Sequence, residues 1–140
     1  MPNWCANKVE VFGSKEDMKK FREFVSDGDS LFSFQKIKPI PEELKDTTSP
    51  SGEPNVDLVH KYGVDNWYDW CTNNWGVKWD VQDVELQEGG DTIYYHFDTP
   101  WGPPREIYHI LVDKFPDVSI VWFYDEPGMM VAGYLGQEGY

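Results

Sequence analysis

The chain has 140 residues, 40% of them hydrophobic and 16% aromatic, the size and apolar content of one domain whose core is filled largely by rings. Its formal net charge is -13, and the excess is C-terminal: residues 79–140 carry two basic side chains, Arg105 and Lys114, against 12 Asp/Glu, whereas residues 1–78 carry 10 Lys/Arg against 13 Asp/Glu. Such a field repels a phosphate backbone and argues against nucleic-acid binding through the C-terminal half, leaving solvation, a basic protein partner or imitation of nucleic-acid charge as its uses.

Only Cys5 and Cys71 are present, without a C-x-x-C pair. The opening Met1-Pro2-Asn3-Trp4 lacks a charged and apolar leader, and no run approaches the roughly 20 apolar residues that span a bilayer. The expectation is a cytoplasmic protein with both thiols reduced and buried, and no membrane association.

Residues 3–12 alternate, with Cys5, Asn7, Val9 and Val11 on one face and Trp4, Ala6, Lys8 and Glu10 on the other, as in a strand. Ser14 then caps a helix in which Met18, Phe21, Phe24 and Val25 recur at helical spacing up to Asp27-Gly28-Asp29. From 30 to 64, Phe32, Phe34, Ile37 and Ile40 are apolar anchors, but Pro39, Pro41, Pro50 and Pro54 forbid a long regular element. This stretch reads as an extended loop with a mobile tip near 45–56, of a length that is either functional or a disordered insertion. Asp65 or Asn66 caps a short helix with Trp67, Trp70, Cys71 and Asn74 on one face.

That helix is expected to break at Gly76 and run directly into a strand, Val77 to Leu86, placing Trp75 and Trp79 on either side of the corner as the pivot of the core. Val77, Trp79 and Val81 point one way while Val84 and Leu86 have the opposite parity, so a bulge is expected at Gln82-Asp83. Glu88-Gly89-Gly90-Asp91 makes a hairpin turn into a strand, Thr92 to Thr99, with Ile93, Tyr95 and Phe97 on one side. Pro104 opens a helix with an Ile107, Ile110, Leu111 and Phe115 stripe, and Val118 to Asp125 and Met129 to Leu135 are the last strands.

The order β, α, long insertion with a short helix, β, β, α, β, β predicts an α+β, ferredoxin-like (split βαβ) arrangement. Its antiparallel sheet carries the helices on one face, an insertion over about 30–76 and an extra C-terminal strand, all in a single domain, 1–140. The segments Met1-Pro2-Asn3-Trp4-Cys5-Ala6-Asn7, Phe34 to Leu44, Asn74 to Val81, Thr99 to Pro104 and Phe115-Pro116-Asp117 resemble the YubB-type phage and plasmid proteins with a ferredoxin-like domain. That resemblance implies the same fold and a mobile-element accessory role, and brings no catalytic residues with it.

Phosphate-loop, dinucleotide, zinc-protease and serine-hydrolase motifs are missing, and His60, His96 and His109 have no metal-ligand spacing, so neither a metal nor a cofactor is expected. The best acid/base grouping is Lys78, Asp80, His96 and Asp98, facing one another across a hairpin; a solvent-facing polar row explains it as well. Cys5 lacks an adjacent His and reads as core. Trp101, in the proline-rich Pro100 to Pro104 turn, is a ring that its own element cannot bury, and with Trp4, Trp75 and Tyr94 it forms either core or an aromatic platform.

The chain therefore reads as a non-enzymatic bacteriophage or mobile-element protein that binds a host factor through an acidic surface, as a counter-defence inhibitor or nucleic-acid mimic. The alternative is capture of a small nucleotide by Trp75, Trp79 and Trp101, with Lys78 or Arg105 neutralising phosphate. The candidate binding residues are Trp75, Lys78, Trp79, Asp80, His96, Trp101 and Arg105.

Overall fold

A computed structural model describes residues 3–47, 55–81 and 83–136. Five antiparallel strands, β1 (Trp4–Phe12), β2 (Glu85–Gly89), β3 (Thr92–Pro100), β4 (Ser119–Glu126) and β5 (Val131–Tyr134), form one sheet in the order β2-β3-β1-β4-β5. Two long crossovers run through α1 (Lys15–Val25), between β1 and β2, and α6 (Arg105–Lys114), between β3 and β4. Each joins two strands separated by one other strand, which is the split βαβ plan of the ferredoxin-like fold, and β5 adds an edge.

The period-2 pattern decides which side of the sheet is covered. Cys5, Asn7, Val9 and Val11 of β1, Ile93, Tyr95 and Phe97 of β3, and Trp122 and Tyr124 of β4 are all buried. Register sets Val9 between Tyr95 and Trp122 at the centre of this face. Both long helices lie on it, as ring contacts of Phe21 with Tyr95 and of Tyr108 with Trp122 require. Helix α1 starts where the Ser14 side chain accepts from the Asp17 backbone N–H, and turns Met18, Phe21 and Val25 inward. The opposite face, with Trp4, Lys8, Asp98 and Val121, is open.

Between α1 and β2 the structure differs from the expected extended loop. Three short helices, α2 (Phe34–Ile37), α3 (Glu42–Lys45) and α4 (Val56–Tyr62), fit between the prolines, with Ser33 and Asn55 side chains capping α2 and α4. Phe32, Phe34 and Leu44 are fully buried, so this insertion supplies core. Of the expected mobile tip, residues 48–54 lie outside the described residues. Helix α5 (Trp67–Trp75) begins at Asn66, whose side chain accepts from the Asp69 N–H at 2.8 Å, and ends at Gly76. Gly76 has φ +91°, and a Cβ there would lie 2.7 Å from the backbone nitrogen of Arg105, so only glycine allows α5 to end against the start of α6.

The expected strand from Val77 to Leu86 is corrected. Residues 77–81 are irregular, and β2 starts only at Glu85, at the edge of the sheet. The cause is Asp80, whose carboxylate accepts from the backbone N–H groups of Phe34 (2.8 Å) and Gln35 (3.1 Å) and from its neighbour Val81 (2.8 Å). This pins the segment to the start of α2 in place of a strand ladder. Val77 and Val81 are buried, but Trp79 is 41% exposed and is no pivot of the core. Asp83, with φ +52°, turns the chain into β2. Its neighbour Gln82, the other half of the expected bulge, is outside the described residues.

Candidate functional site

Residues 79–81, pinned through Asp80, together with Asp83 and Glu85 leave a cleft of about 790 Å³ beside the open-face ends of β1 and β3. Trp4 comes from the first residue of β1, where alternation turns it away from the core, and Trp79 from the irregular segment. Their rings approach to 6.3 Å between centroids at 37°, and both remain partly exposed, Trp4 at 47%. Lys78 lays its ammonium over the Trp79 ring, 4.3 Å from the centroid, a cation–π contact.

Carboxylates stand around the indoles. Asp83 precedes β2, Glu85 opens it, and Asp98 projects from β3, all lining the cleft and all exposed. Register places His96 beside both Glu85 on β2 and Lys8 on β1, so the imidazole faces the cleft from the sheet floor. Among the described residues no Lys or Arg pairs with Asp83, Glu85 or Asp98. Asp80 also lines the cleft, but its oxygens are taken up by the backbone donors of α2 and by the Ser33 hydroxyl at 3.2 Å. It holds the wall and does not face a ligand as a free carboxylate.

Of the residues singled out in the sequence, Trp79, Asp80 and His96 line this cleft, with Asp98, while Lys78 touches the Trp79 ring without lining the cleft itself. The hairpin expected to carry Lys78 and Asp80 is not what joins them, since both precede β2. Trp75 lies elsewhere: it is buried to 2% exposure, packs on Phe34 and Trp70, and donates its indole N–H to the Lys38 carbonyl at 2.9 Å. Trp101 is half exposed beyond the end of β3, its backbone N–H bonded to the Asn3 carbonyl, and does not line the cleft. Arg105 opens α6 with its guanidinium over Tyr124, on the helix-covered side of the sheet. Asp83 and Glu85 are not singled out as site residues in the sequence; the register of β2 beside His96 identifies Glu85, and the turn that enters β2 identifies Asp83.

Cys5 and Cys71 are core. Burial, aided by the Glu126 carboxylate, pushes the Cys5 thiol up to about 11, and burial with Asp80 nearby pushes Cys71 up to about 12, the opposite of what a nucleophile needs. Among the described residues no three His, Cys, Asp or Glu are grouped to hold a metal ion, and no helix is long and apolar enough to cross a membrane.

Residues 74–138 match the family model described as the ferredoxin-like domain in Api92-like protein. The whole chain is similar in structure to the crystal structure of protein api92 from Yersinia pseudotuberculosis, with a TM-score of 0.62 over 96% of this chain and 93% of that one. The two share 15% sequence identity, so the likeness is one of fold. No curated protein matches the chain in sequence.

Proposed function

We propose that the chain is a non-enzymatic binding protein, an accessory of a phage or related mobile element in the host cytoplasm, that docks a basic surface of a host protein against the acidic mouth of the Trp4–Trp79 cleft. The observation that carries this reading is the set of three carboxylates, Asp83, Glu85 and Asp98, ringing two half-exposed indoles without a basic partner among the described residues. Aromatic anchors ringed by unneutralised charge suit a partner of opposite charge, where the rings supply area and the charges supply rate and selectivity. The resemblance to YubB-type proteins supports the mobile-element setting, and the C-terminal concentration of acid supports a counter-defence inhibitor that competes with nucleic acid for its target.

Affinity capture from bacterial lysate, comparing the parent with the Asp83→Asn/Glu85→Gln/Asp98→Asn variant, tests this. One saturable partner held by the parent, lost in the variant and released by salt near 1 M, where screening acts within about 3 Å, is the expected result. Equal recovery by both proteins removes the acidic cleft from the interaction. DNA or RNA added as competitor separates mimicry from ordinary docking.

Nucleotide capture is the second reading, and the neighbouring, half-exposed rings of Trp4 and Trp79 with Lys78 nearby favour it. The carboxylates count against it, because they would face the phosphates. A nucleotide at a hundred times its dissociation constant would stabilise the fold by about 2.7 kcal/mol, which a thermal shift panel reads directly.

A further inference from the structure

One indole of the cleft, Trp79, already carries a cation from its chain neighbour Lys78, a residue that does not itself line the cleft. The Lys78 ammonium sits 4.3 Å from the centre of the Trp79 ring, and among the described residues it makes no ion pair with a carboxylate. The nearby carboxylates of Asp83, Glu85 and Asp98 are equally without a basic partner there. The chain thus places its own positive charge on the ring face while leaving the negative charges unanswered.

A compact, strongly hydrated ammonium gains modestly on an exposed indole. A guanidinium is flat and weakly hydrated, stacks on an indole face and simultaneously offers a fork of N–H donors to carboxylates beside it. The geometry here supplies both requirements: two indole faces as the wall and exposed acids on β2 and β3 within the same cleft. A volume of about 790 Å³ also exceeds the needs of a lone side chain and admits flanking backbone.

We infer that the cleft reads the guanidinium of an arginine on a basic protein segment, stacked on Trp79, and that Lys78 is its built-in competitor, which leaves the ring when the arginine arrives. This rests on the docking reading above and adds which side chain is recognised. Competition of this kind lowers the apparent affinity by the fraction of time Lys78 holds the ring, so single, isolated arginines are filtered out and segments with further contacts are retained.

The test is a calorimetric titration of the full chain with a Gly-Arg-Gly-Arg-Gly peptide, with its lysine counterpart and with its citrulline counterpart, which keeps the shape of arginine without the charge. The arginine peptide is expected to bind at least about tenfold more tightly than the citrulline peptide and more tightly than the lysine peptide, as a desolvated stack with charge-assisted hydrogen bonds implies. Lys78→Met is expected to tighten arginine binding about two- to fivefold, the worth of one exposed cation–π contact. Lys19→Met, an equal charge change on the exposed side of α1, is expected to leave it unchanged.

Equal binding of arginine and citrulline peptides overturns the proposal, and so does a Lys78→Met variant that binds no better than the parent. If lysate capture still depends on the three carboxylates in that case, docking stands and the arginine assignment falls; if neither dependence is found, both fall.

Discussion

Asn7 and Trp122 meet at the centre of the sheet, where the indole N–H of Trp122 donates to the Asn7 side-chain oxygen at 3.0 Å. Asn7 is buried, and its amide nitrogen donates in turn to the Thr99 hydroxyl at 2.9 Å and to the Cys5 and Phe97 carbonyls, while Thr99 donates to the Gly102 carbonyl. One amide therefore ties β4, β1 and β3 to the turn that follows β3, next to the cleft. Asn7→Leu keeps the volume, strands the Trp122 indole N–H in the core at about 1–3 kcal/mol, and removes the donor to a Thr99 hydroxyl that keeps its own bond to the Gly102 carbonyl. A loss of about 3 kcal/mol in urea unfolding is expected; a midpoint equal to the parent's would show that the network is not what orders these strands.

Asp80 makes the cleft by making a connection. Its carboxylate caps the first turn of α2 from 46 residues away and fixes the segment that presents Trp79. Capping contacts are worth about 1 kcal/mol, more where the acceptor is charged, so Asp80→Ala should lower stability by about 2 kcal/mol. It should also release Trp79 and weaken whatever binds at the cleft more than Trp79 exposure alone would suggest. Denaturation and partner capture on the same variant measure both effects, and retained binding with lowered stability would show that the wall stays in place without its pin.

What the sequence disclosed and what it hid divide along this contact. The alternation of Cys5, Asn7, Val9 and Val11, and of Ile93, Tyr95 and Phe97, is a local pattern, and with the helical stripes of α1 and α6 it is enough to define the split βαβ plan. Val77, Trp79 and Val81 mimic that alternation while their backbone is held by Asp80 against α2, a long-range restraint that no window of sequence contains. Trp75 and Trp79 look like a pair on paper, yet the turn at Gly76 sends one indole into the core and the other to the surface. Trp4 and Glu85 join the site through strand register alone, which becomes readable only once β2 is known to begin at Glu85.

The buried thiols and Tyr95 give the protein a defined alkaline limit. Burial raises Cys5 from 9.0 to about 11, Cys71 from 9.0 to about 12 and Tyr95 from 10.0 to about 12. Each holds its proton more tightly when folded than when unfolded. Their contribution is therefore complete below about pH 9 and is lost as pH rises from there toward 11–12. The urea midpoint of the parent should fall between pH 9 and 10.5, and that of Cys5→Ala/Cys71→Ala should fall less, once their difference at pH 7 is subtracted. Parallel curves would show that the thiols are not confined as described. At pH 8 neither thiol should react with a disulfide reagent until denaturant is added.

Trp101 offers a test in which the usual order of two substitutions is reversed. Its φ is +69°, the left-handed region, where an L side chain costs about 1–2 kcal/mol and glycine nothing. Its backbone N–H is nevertheless committed to the Asn3 carbonyl at 2.8 Å, beside the Trp4–Pro100 pair, so the conformation is imposed by the way β1 starts and β3 ends. Trp101→Ala and Trp101→Gly lose the same half-exposed ring, and only the first keeps the backbone penalty. The glycine variant should accordingly be the more stable of the two by about 1 kcal/mol, whereas at an ordinary strand or helix position alanine leads by about that amount. Paired urea curves decide it: alanine above glycine would mean that the chain does not pass through a left-handed residue here. Because the Trp101 ring does not line the cleft, both variants should still capture the partner held by Asp83, Glu85 and Asp98, and loss of capture in a glycine variant of parental stability would extend the binding surface around the end of β3.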